Sequence, residues 1–468
     1  MADLFALLSW SSSSLSAHRA ASATASHNLA NSNTPGFSRQ RAQLEASLPA
    51  DRLGGAFIGR GALLGGVSQA RDQFLERQLP QALASSAYSG AKAQAMEGLT
   101  ALDPDGGAGL TNALDAFFGS LRQLTQAPGD VGSRQAVLAQ GRTVALAFNR
   151  AAQNVDGARG GLDTQLQANV ARVNDLAQSL AALNKQVRIE QASGAVPNDL
   201  LDARLRVQDE LVQLTGASVI PDDDGNANLQ LPTGGALVNA DLAATLSTQP
   251  DLTNGGHLAV FLTPAGSSAA AQLGAGALGG SMGGALDARD GALATAEASL
   301  DTLAFDFANA INSAHQSGVG LDGVGGRDFF SAPAAATGAA RGLAVDPGLL
   351  ADPRRLGAAT NAASLPGDGS NLFAIIQTEG AALSNGLDVF DGIAAAIATW
   401  GSAVDSARTA GARDGAVLDQ LSALRESASG VSIDEEMIAL TTSQRAYEAV
   451  LKVIQTTDEM LDTLLKLR

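Results

Sequence analysis

The stretch Ser432-Ile-Asp-Glu-Glu-Met-Ile-Ala-Leu440 opens a segment with regularly spaced apolar positions. Ile433, Met437, Leu440, Gln444, Tyr447, Leu451, Ile454, Asp458, Leu461 and Leu465 are separated by four and three residues in alternation. Only Gln444 and Asp458 break the apolar seam. A mean spacing of about 3.5 residues keeps one narrow stripe on a helix, the pattern of coiled-coil packing. Ser432 fits the N-cap of a capping box with Glu435 reaching back, while Asp434 and Glu436 sit where the helix dipole favours acids.

The opposite end carries a weaker seam, with Leu4, Leu8, Leu15, Ala25 and Leu29 over a helix of 1–30. A break separates each end from the body: Asn31-Ser-Asn-Thr-Pro35-Gly36-Phe37 at the front and Ser429-Gly430 at the back. Pro35-Gly36 suits the central positions of a type II turn. Terminal helices set off in this way must pair with each other, pair with other copies, or stay disordered in the free chain.

Inward, further helical stripes are Leu110–Leu121, Leu162–Val187, Leu293–Ala310 and Ile393–Val404. Residues 218–262 read as short strands, with Asp224-Gly225 marking a hairpin and His257–Leu262 another strand. The Gly/Ala/Ser-rich stretch 265–284 reads as a loop or linker, and prolines forbid a long helix in 317–370. The expected fold is mainly α and multidomain: a terminal unit of 1–32 and 431–468, a helical body with β-hairpins of 33–215, 285–316 and 371–430, and a small β-rich or irregular outer region of 216–284 and 317–370.

Composition excludes several function classes. The 468 residues carry 30 Lys and Arg against 47 Asp and Glu, a net charge of −17 that repels phosphate backbones, so no nucleic-acid partner is expected. No apolar run approaches the roughly 20 residues needed to cross a bilayer, and no membrane partner is expected. The start has an acid, Asp3, where a cleaved signal carries its basic region. Without cysteine there is no disulfide, no thiolate nucleophile and no thiolate metal ligand. With 52 glycines and abundant alanine, helices can pack closely.

No constellation points to catalysis, a cofactor or a metal. His18, His27, His257 and His315 show no ligand spacing, and His315 reads as a capping residue near a helix C-terminus. Asp222-Asp-Asp-Gly225 lacks the calcium-loop positions of glycine and glutamate and reads as a solvated turn. Two G-x-G-x-x-G matches, 274–279 and 318–323, have no strand–helix context.

Asn28-Leu-Ala-Asn31-Ser-Asn-Thr34-Pro35-Gly36-Phe37-Ser-Arg39-Gln resembles the N-terminal signature of bacterial flagellar rod, hook and hook-associated proteins, with Phe37 where tyrosine is usual. Ser429-Gly-Val-Ser-Ile-Asp434-Glu435-Glu436-Met437, with Gln444-Arg-Ala-Tyr447 and Lys452-Val-Ile454, resembles the matching C-terminal signature, in the version of the hook–filament junction family. Pro197-Asn-Asp-Leu-Leu-Asp202-Ala-Arg204, the 222–231 hairpin, Asn312-Ser-Ala-His315-Gln-Ser-Gly318 and Arg327-Asp-Phe-Phe330 are similar to internal segments of that family. Longer members insert an outer β-rich domain after the Phe-Phe segment. Here only about a dozen residues, 331–343, separate it from the resumed pattern.

The resemblance implies a structural subunit of the hook–filament junction, not an enzyme, with the terminal helices in the inner layer of a tube. It implies as partners other copies of the chain, the hook protein, the second hook-associated junction protein, an export chaperone and the type III export apparatus. It places the protein extracellularly on the flagellum, secreted without a cleaved signal. Another axial subunit (hook, rod or second junction protein) is the nearest alternative, and a secreted enzyme on a flagellar scaffold a remote one.

Overall fold

A computed structural model describes residues 2–47, 51–53, 56–58, 60–100, 108–331 and 333–466. The chain begins with α1 (Ala2–Ala30), turns, and forms an antiparallel ribbon of β1 (Gln40–Ala46) and β4 (Ala62–Gln69), between which lies the short pair β2 (Asp51–Leu53) and β3 (Ala56–Ile58). Then come α2 (Gln73–Thr100), α3 (Ala108–Leu124) and α4 (Val131–Ala192). The single helix α4 has 62 residues and is about 90 Å long at about 1.5 Å per residue. It absorbs the seam expected at Leu162–Val187. Asp130 caps it, accepting from Ser133 N at 2.7 Å.

Helix α5 (Asn198–Thr215) leads into an antiparallel sheet in the order β5 (Ser218–Pro221), β6 (Ala227–Gln230), β7 (Ala236–Asn239), β8 (Leu242–Ala243). The β5–β6 hairpin turns at Asp222–Asn226, where Gly225 takes a φ of 75°. A second antiparallel sheet is built from β9 (Thr245–Pro250), β10 (Leu258–Thr263) and β11 (Ala271–Gln272). Helix α6 (Gly280–Asp287) passes through a π-helical turn (Ala288–Leu293) into α7 (Ala294–Gln316). Short helices α8 (Ala339–Gly342), α9 (Pro347–Ala351) and α10 (Ser370–Gln377) punctuate the proline-rich stretch, and α11 (Val389–Ser429) and α12 (Ile433–Lys466) close the chain. The fold is mainly α and multidomain, as the seams imply.

The 265–284 stretch is more ordered than its composition suggests, since it holds β11 and starts α6. Glycine is used there for close approach. A side chain on Gly284 would collide with the Tyr88 carbonyl, so α6 presses directly on the backbone of α2.

Two apolar cores share α4. One gathers Phe117, Phe118, Phe148, Phe307, Phe329 and Phe330 around the first half of α4, with edge-to-face rings such as Phe329 and Phe330 at 4.9 Å. The other packs the second half of α4 and α5 on the small sheets through Val173, Leu180, Leu211, Leu237 and Val260. Between them Asp163 accepts from Arg289 and from the ring of His257 (Nδ1 at 2.7 Å), joining the sheet to the π-helical turn. His257 is thus a buried tether.

His315, expected as a capping residue, does lie in the last turn of α7, but its ring is spent on two loops. It is fully buried, with Nδ1 2.6 Å from the Arg327 carbonyl and Nε2 accepting from Gly357 N at 2.9 Å. Neutral imidazole supplies one donor and one acceptor, which matches those two partners. Burial pulls its pKa below the usual value.

Candidate functional site: the terminal pair and its joint to the body

Helix α1 lies between α12 and the β1–β4 ribbon. It runs antiparallel to α12, because Asn28, near the end of α1, meets Glu436, near the start of α12. The covered positions of α1 are Ser11, Ser14, Ala17, Thr24, Ala25 and Asn28. The leucines expected to form its seam, Leu4, Leu8, Leu15 and Leu29, are only half-buried and flank this stripe. Small and hydroxyl-bearing residues let the neighbours approach closely, and their hydroxyls are satisfied locally: Thr24 donates to the Ala20 carbonyl, and Ser14 accepts from Ala62 N at 3.0 Å.

The covered face of α12 is correspondingly rotated from the expected seam. Leu440, Tyr447, Leu451, Ile454 and Leu461 are half-buried. Between them the most covered positions are Glu436 and Thr457, with Ser443 and Val450 half-buried, in place of Met437, Gln444 and Asp458. Gln444 and Asp458, which break the apolar seam in sequence, point to solvent. Ile433 and Met437 are 52% and 48% exposed, and Ile438 is 69% exposed. The side chain of Leu465 lies outside the described residues. The rotation follows from α1: its small-residue stripe accepts short side chains opposite it and leaves the larger ones at the flanks.

The signature residues converge where the terminal helices meet the body. Asn28 is buried, and its side-chain amide brackets Gln40, accepting from its N–H at 2.9 Å and donating to its carbonyl at 2.8 Å. The same amide nitrogen donates to Glu436 Oε2 at 3.0 Å. Arg39 Nε donates to Glu436 Oε1 at 2.7 Å and Nη1 to Glu435 Oε2 at 2.6 Å. The Arg39 N–H donates to the Ser429 carbonyl at the end of α11. Burial lowers the Arg39 pKa, but hydrogen bonds and charge from Glu435 and Glu436 more than offset it, leaving the guanidinium above its usual value. The capping box is therefore half formed. Ser432 Oγ stands 3.5 Å from Glu435 N, and the Glu435 carboxylate is turned to Arg39. Asp434 remains exposed in the first turn.

The 31–37 segment is a tight turn. Phe37 N donates to the Thr34 carbonyl at 3.1 Å, and Gly36 has a φ of 73°. A Cβ on Gly36 would also stand 2.7 Å from Arg206 Cγ of α5. Thr34, Pro35 and Gly36 are exposed, Asn31 and Phe37 are half-buried, and Phe37 packs edge-on against His27 at 5.4 Å. Beside the turn a polar cleft of about 330 Å³ is walled by Ser422, Arg425 and Glu426 of α11.

The body's side of the joint is the first turn of α5. Asp202 accepts from Ser38 N at 3.1 Å and from Arg71 at 2.8 Å. Asp199 takes Gln40 Nε2 at 2.9 Å and faces His27 Nε2 at 3.1 Å. Asn198 donates to the Val67 carbonyl and receives Gln69 on its own. Nearby, Asp209 of α5 meets Arg425 of α11 at 3.3 Å, and burial pushes its carboxyl up to about 6 against the pull of Arg425. Arg39, Gln40 and the α5 acids lie within the quoted signatures, but no periodicity singles them out. Their pairing is visible only once the chain is folded.

Comparison with known proteins falls on these same segments. The model of the helical domain of flagellar hook-associated protein FlgK matches residues 96–330. That of the flagella basal body rod protein matches 8–37, α1 and its turn, and that of the flagellar basal body rod FlgEFG protein C-terminal part matches 425–467, the end of α11 and α12. Flagellar hook-associated protein 1 of Bacillus subtilis (strain 168) is 27% identical over 508 aligned positions, covering 99% of this chain and 98% of the relative. The protein of that name from Salmonella typhimurium is 31% identical over 332 positions, covering 69% of this chain and 59% of the relative. In fold, the chain is similar to the flagellar hook junction protein FlgK from Burkholderia pseudomallei, with a TM-score of 0.68 at 17% identity, covering 76% of this chain and 100% of that one. Matched at both terminal helices and across half its length in between, the chain belongs to the flagellar hook-associated protein 1 (FlgK) family and is a structural subunit of the hook–filament junction.

Proposed function

We propose that copies of this chain build the junction by packing their α1–α12 pairs side by side into an inner tube. The observation that carries this reading is the apolar surface the pair leaves uncovered within one chain. Phe5, Ile433, Met437, Ile438, Val453 and Met460 are each between 44% and 69% exposed. So many exposed large apolar side chains on one terminal pair, in an otherwise acidic chain, point to an interaction surface. The inner layer would comprise 1–32 and 431–468, with the β1–β4 ribbon riding on α1. The rest of 33–215, with 285–316 and 371–430, would form the next layer, and 216–284 and 317–370 the outermost one.

The hook protein and the second junction protein would then meet the two rims of the tube, outside the cell. Export would use the flagellar type III route without a cleaved signal, with a chaperone shielding the apolar strip beforehand. The role is architectural, without turnover: His257, the residue an enzyme reading would choose, is committed to Asp163. Gold-labelled antibody against the chain should mark one narrow band where hook meets filament. Label spread along the hook would assign the chain to the hook instead, and turnover lost on mutating His257 would restore the enzyme reading.

A further inference from the structure

Among the described residues, the terminal unit (α1, the ribbon and α12) supplies no side chain to either apolar core of the body. Besides the chain itself and the close approach of Gly36 to Arg206, polar bonds join the two: the Arg39 N–H on the Ser429 carbonyl, and those of Asn198, Asp199 and Asp202 at the N-terminal end of α5. Within the terminal unit the corresponding bonds are buried, through Asn28, Glu436 and Gln40. The unit is thus closed on itself and seated on the body mainly through polar bonds, some buried and some exposed.

The two acids of α5 differ in a way that sets their roles. The Asp202 side chain is 2% exposed and holds a backbone N–H and an arginine at once. The Asp199 side chain is 70% exposed and holds two side chains, Gln40 and His27, in competition with water. A buried carboxylate left without partners is costly, whereas exposed hydrogen bonds exchange at small net cost.

We propose that the first turn of α5 is a bearing on which the terminal unit swivels against the body, with Asp202 as its fixed pivot and Asp199 as a releasable stop. Turning about Asp202 and its buried neighbour Asn198, which holds the Val67 carbonyl and Gln69, disturbs neither apolar core. It exchanges the Asp199 bonds for water while the Asn28–Glu436 block moves as one piece. On the assembly reading, this lets one subunit fit tubes of different geometry at its two rims. The swivel itself is a property of the single chain.

The absence of cysteine makes the test direct. Spin labels at Ala412→Cys on α11 and Gln455→Cys on α12, both exposed positions, report the angle between body and terminal unit in the full-length monomer by pulsed dipolar spectroscopy. Asp199→Ala should keep the mean distance and widen the distribution by about half. Asp202→Ala should shift the mean, with the thermal unfolding of the body unchanged. If Asp199→Ala leaves the width unaltered, there is no stop. If Asp202→Ala lowers the body's melting temperature, Asp202 belongs to the core and is no pivot. Either result leaves the tube-assembly reading standing, because no tube is involved in the measurement.

Discussion

Asn28 and Glu436 stand 408 positions apart in sequence and meet at 3.0 Å, a side-chain amide on a carboxylate that is almost fully buried. The carboxylate's other oxygen holds Arg39, so one acid closes α1, the start of β1 and the first turn of α12 into a single block. Removing it takes one of two partners from the Asn28 amide nitrogen and leaves Arg39 Nε without its carboxylate in a covered place.

Glu436→Ala should therefore cost the terminal unit about 3 kcal/mol, within the range for breaking a buried charge pair. Amide hydrogen exchange is the suitable measurement. Protection of α1 and α12 should fall about a hundredfold or more, while the amides of α4 keep theirs. Equal loss in both places would mean that the terminal unit and body unfold together.

The covered and uncovered faces of α12 should separate in mutants. Ile438→Asp changes an exposed position and should leave monomer stability within about 0.5 kcal/mol, yet stop tube formation. Ile454→Asp and Leu451→Asp place a charge at half-buried positions and should weaken the pair in the monomer as well. Motile cells carrying Ile438→Asp would show that copies meet elsewhere.

Asp209 should make stability depend on pH with an unusual sign. Its carboxyl titrates near 6 in the folded chain, against 3.8 as the ordinary value. Between about pH 4 and 6 the folded state holds the proton more tightly than the unfolded state does. Its contribution therefore falls as pH rises through that window, by up to about 3 kcal/mol. Asp209→Asn should be more stable than the unmutated chain in urea at pH 7, and the gap should close near pH 4. A gap independent of pH would contradict this.

His315 works in the opposite direction. Its folded pKa lies below the ordinary 6.5, so below about pH 6.5 the unfolded chain takes up a proton that the folded chain refuses. Stability from this group is complete above 6.5 and is lost as pH falls towards the folded value, at no more than about 1.4 kcal/mol per pH unit. His315→Gln should lower stability at pH 7.5 by about 1–3 kcal/mol through the unpaired Gly357 N–H, and should flatten the acid slope. An unchanged slope would place the titration elsewhere.

Much of this was legible before folding. The heptad spacing of 433–465 indicates a long helix, the Pro35-Gly36 pair its turn, and Asp224-Gly225 a hairpin, because each signal is local. What was not legible depends on the opposing surface. Leu8 and Leu15 look like a seam until the Ser11, Ser14 and Ala17 stripe is found covered, and Met437 yields to Glu436 because Asn28 and Arg39 wait opposite it. His315 misleads for the same reason: its partners, Arg327 and Gly357, come from loops without periodicity. Sequence order identifies the members of the joint, Asn28, Arg39, Asp202 and Glu436, but not who holds whom.

The antiparallel pairing of the first helix with the last has a consequence in time. During synthesis α1 emerges before α12, and its partner follows only after some four hundred residues. Contacts between residues so distant in sequence form late, because the loop they close is long. The block around Glu436 therefore cannot be completed on a nascent or truncated chain. A polypeptide that stops short of residue 436 offers Asn28 and Arg39 no Glu436 carboxylate and leaves α1 without the helix that covers it, so translation order decides when the pair can close.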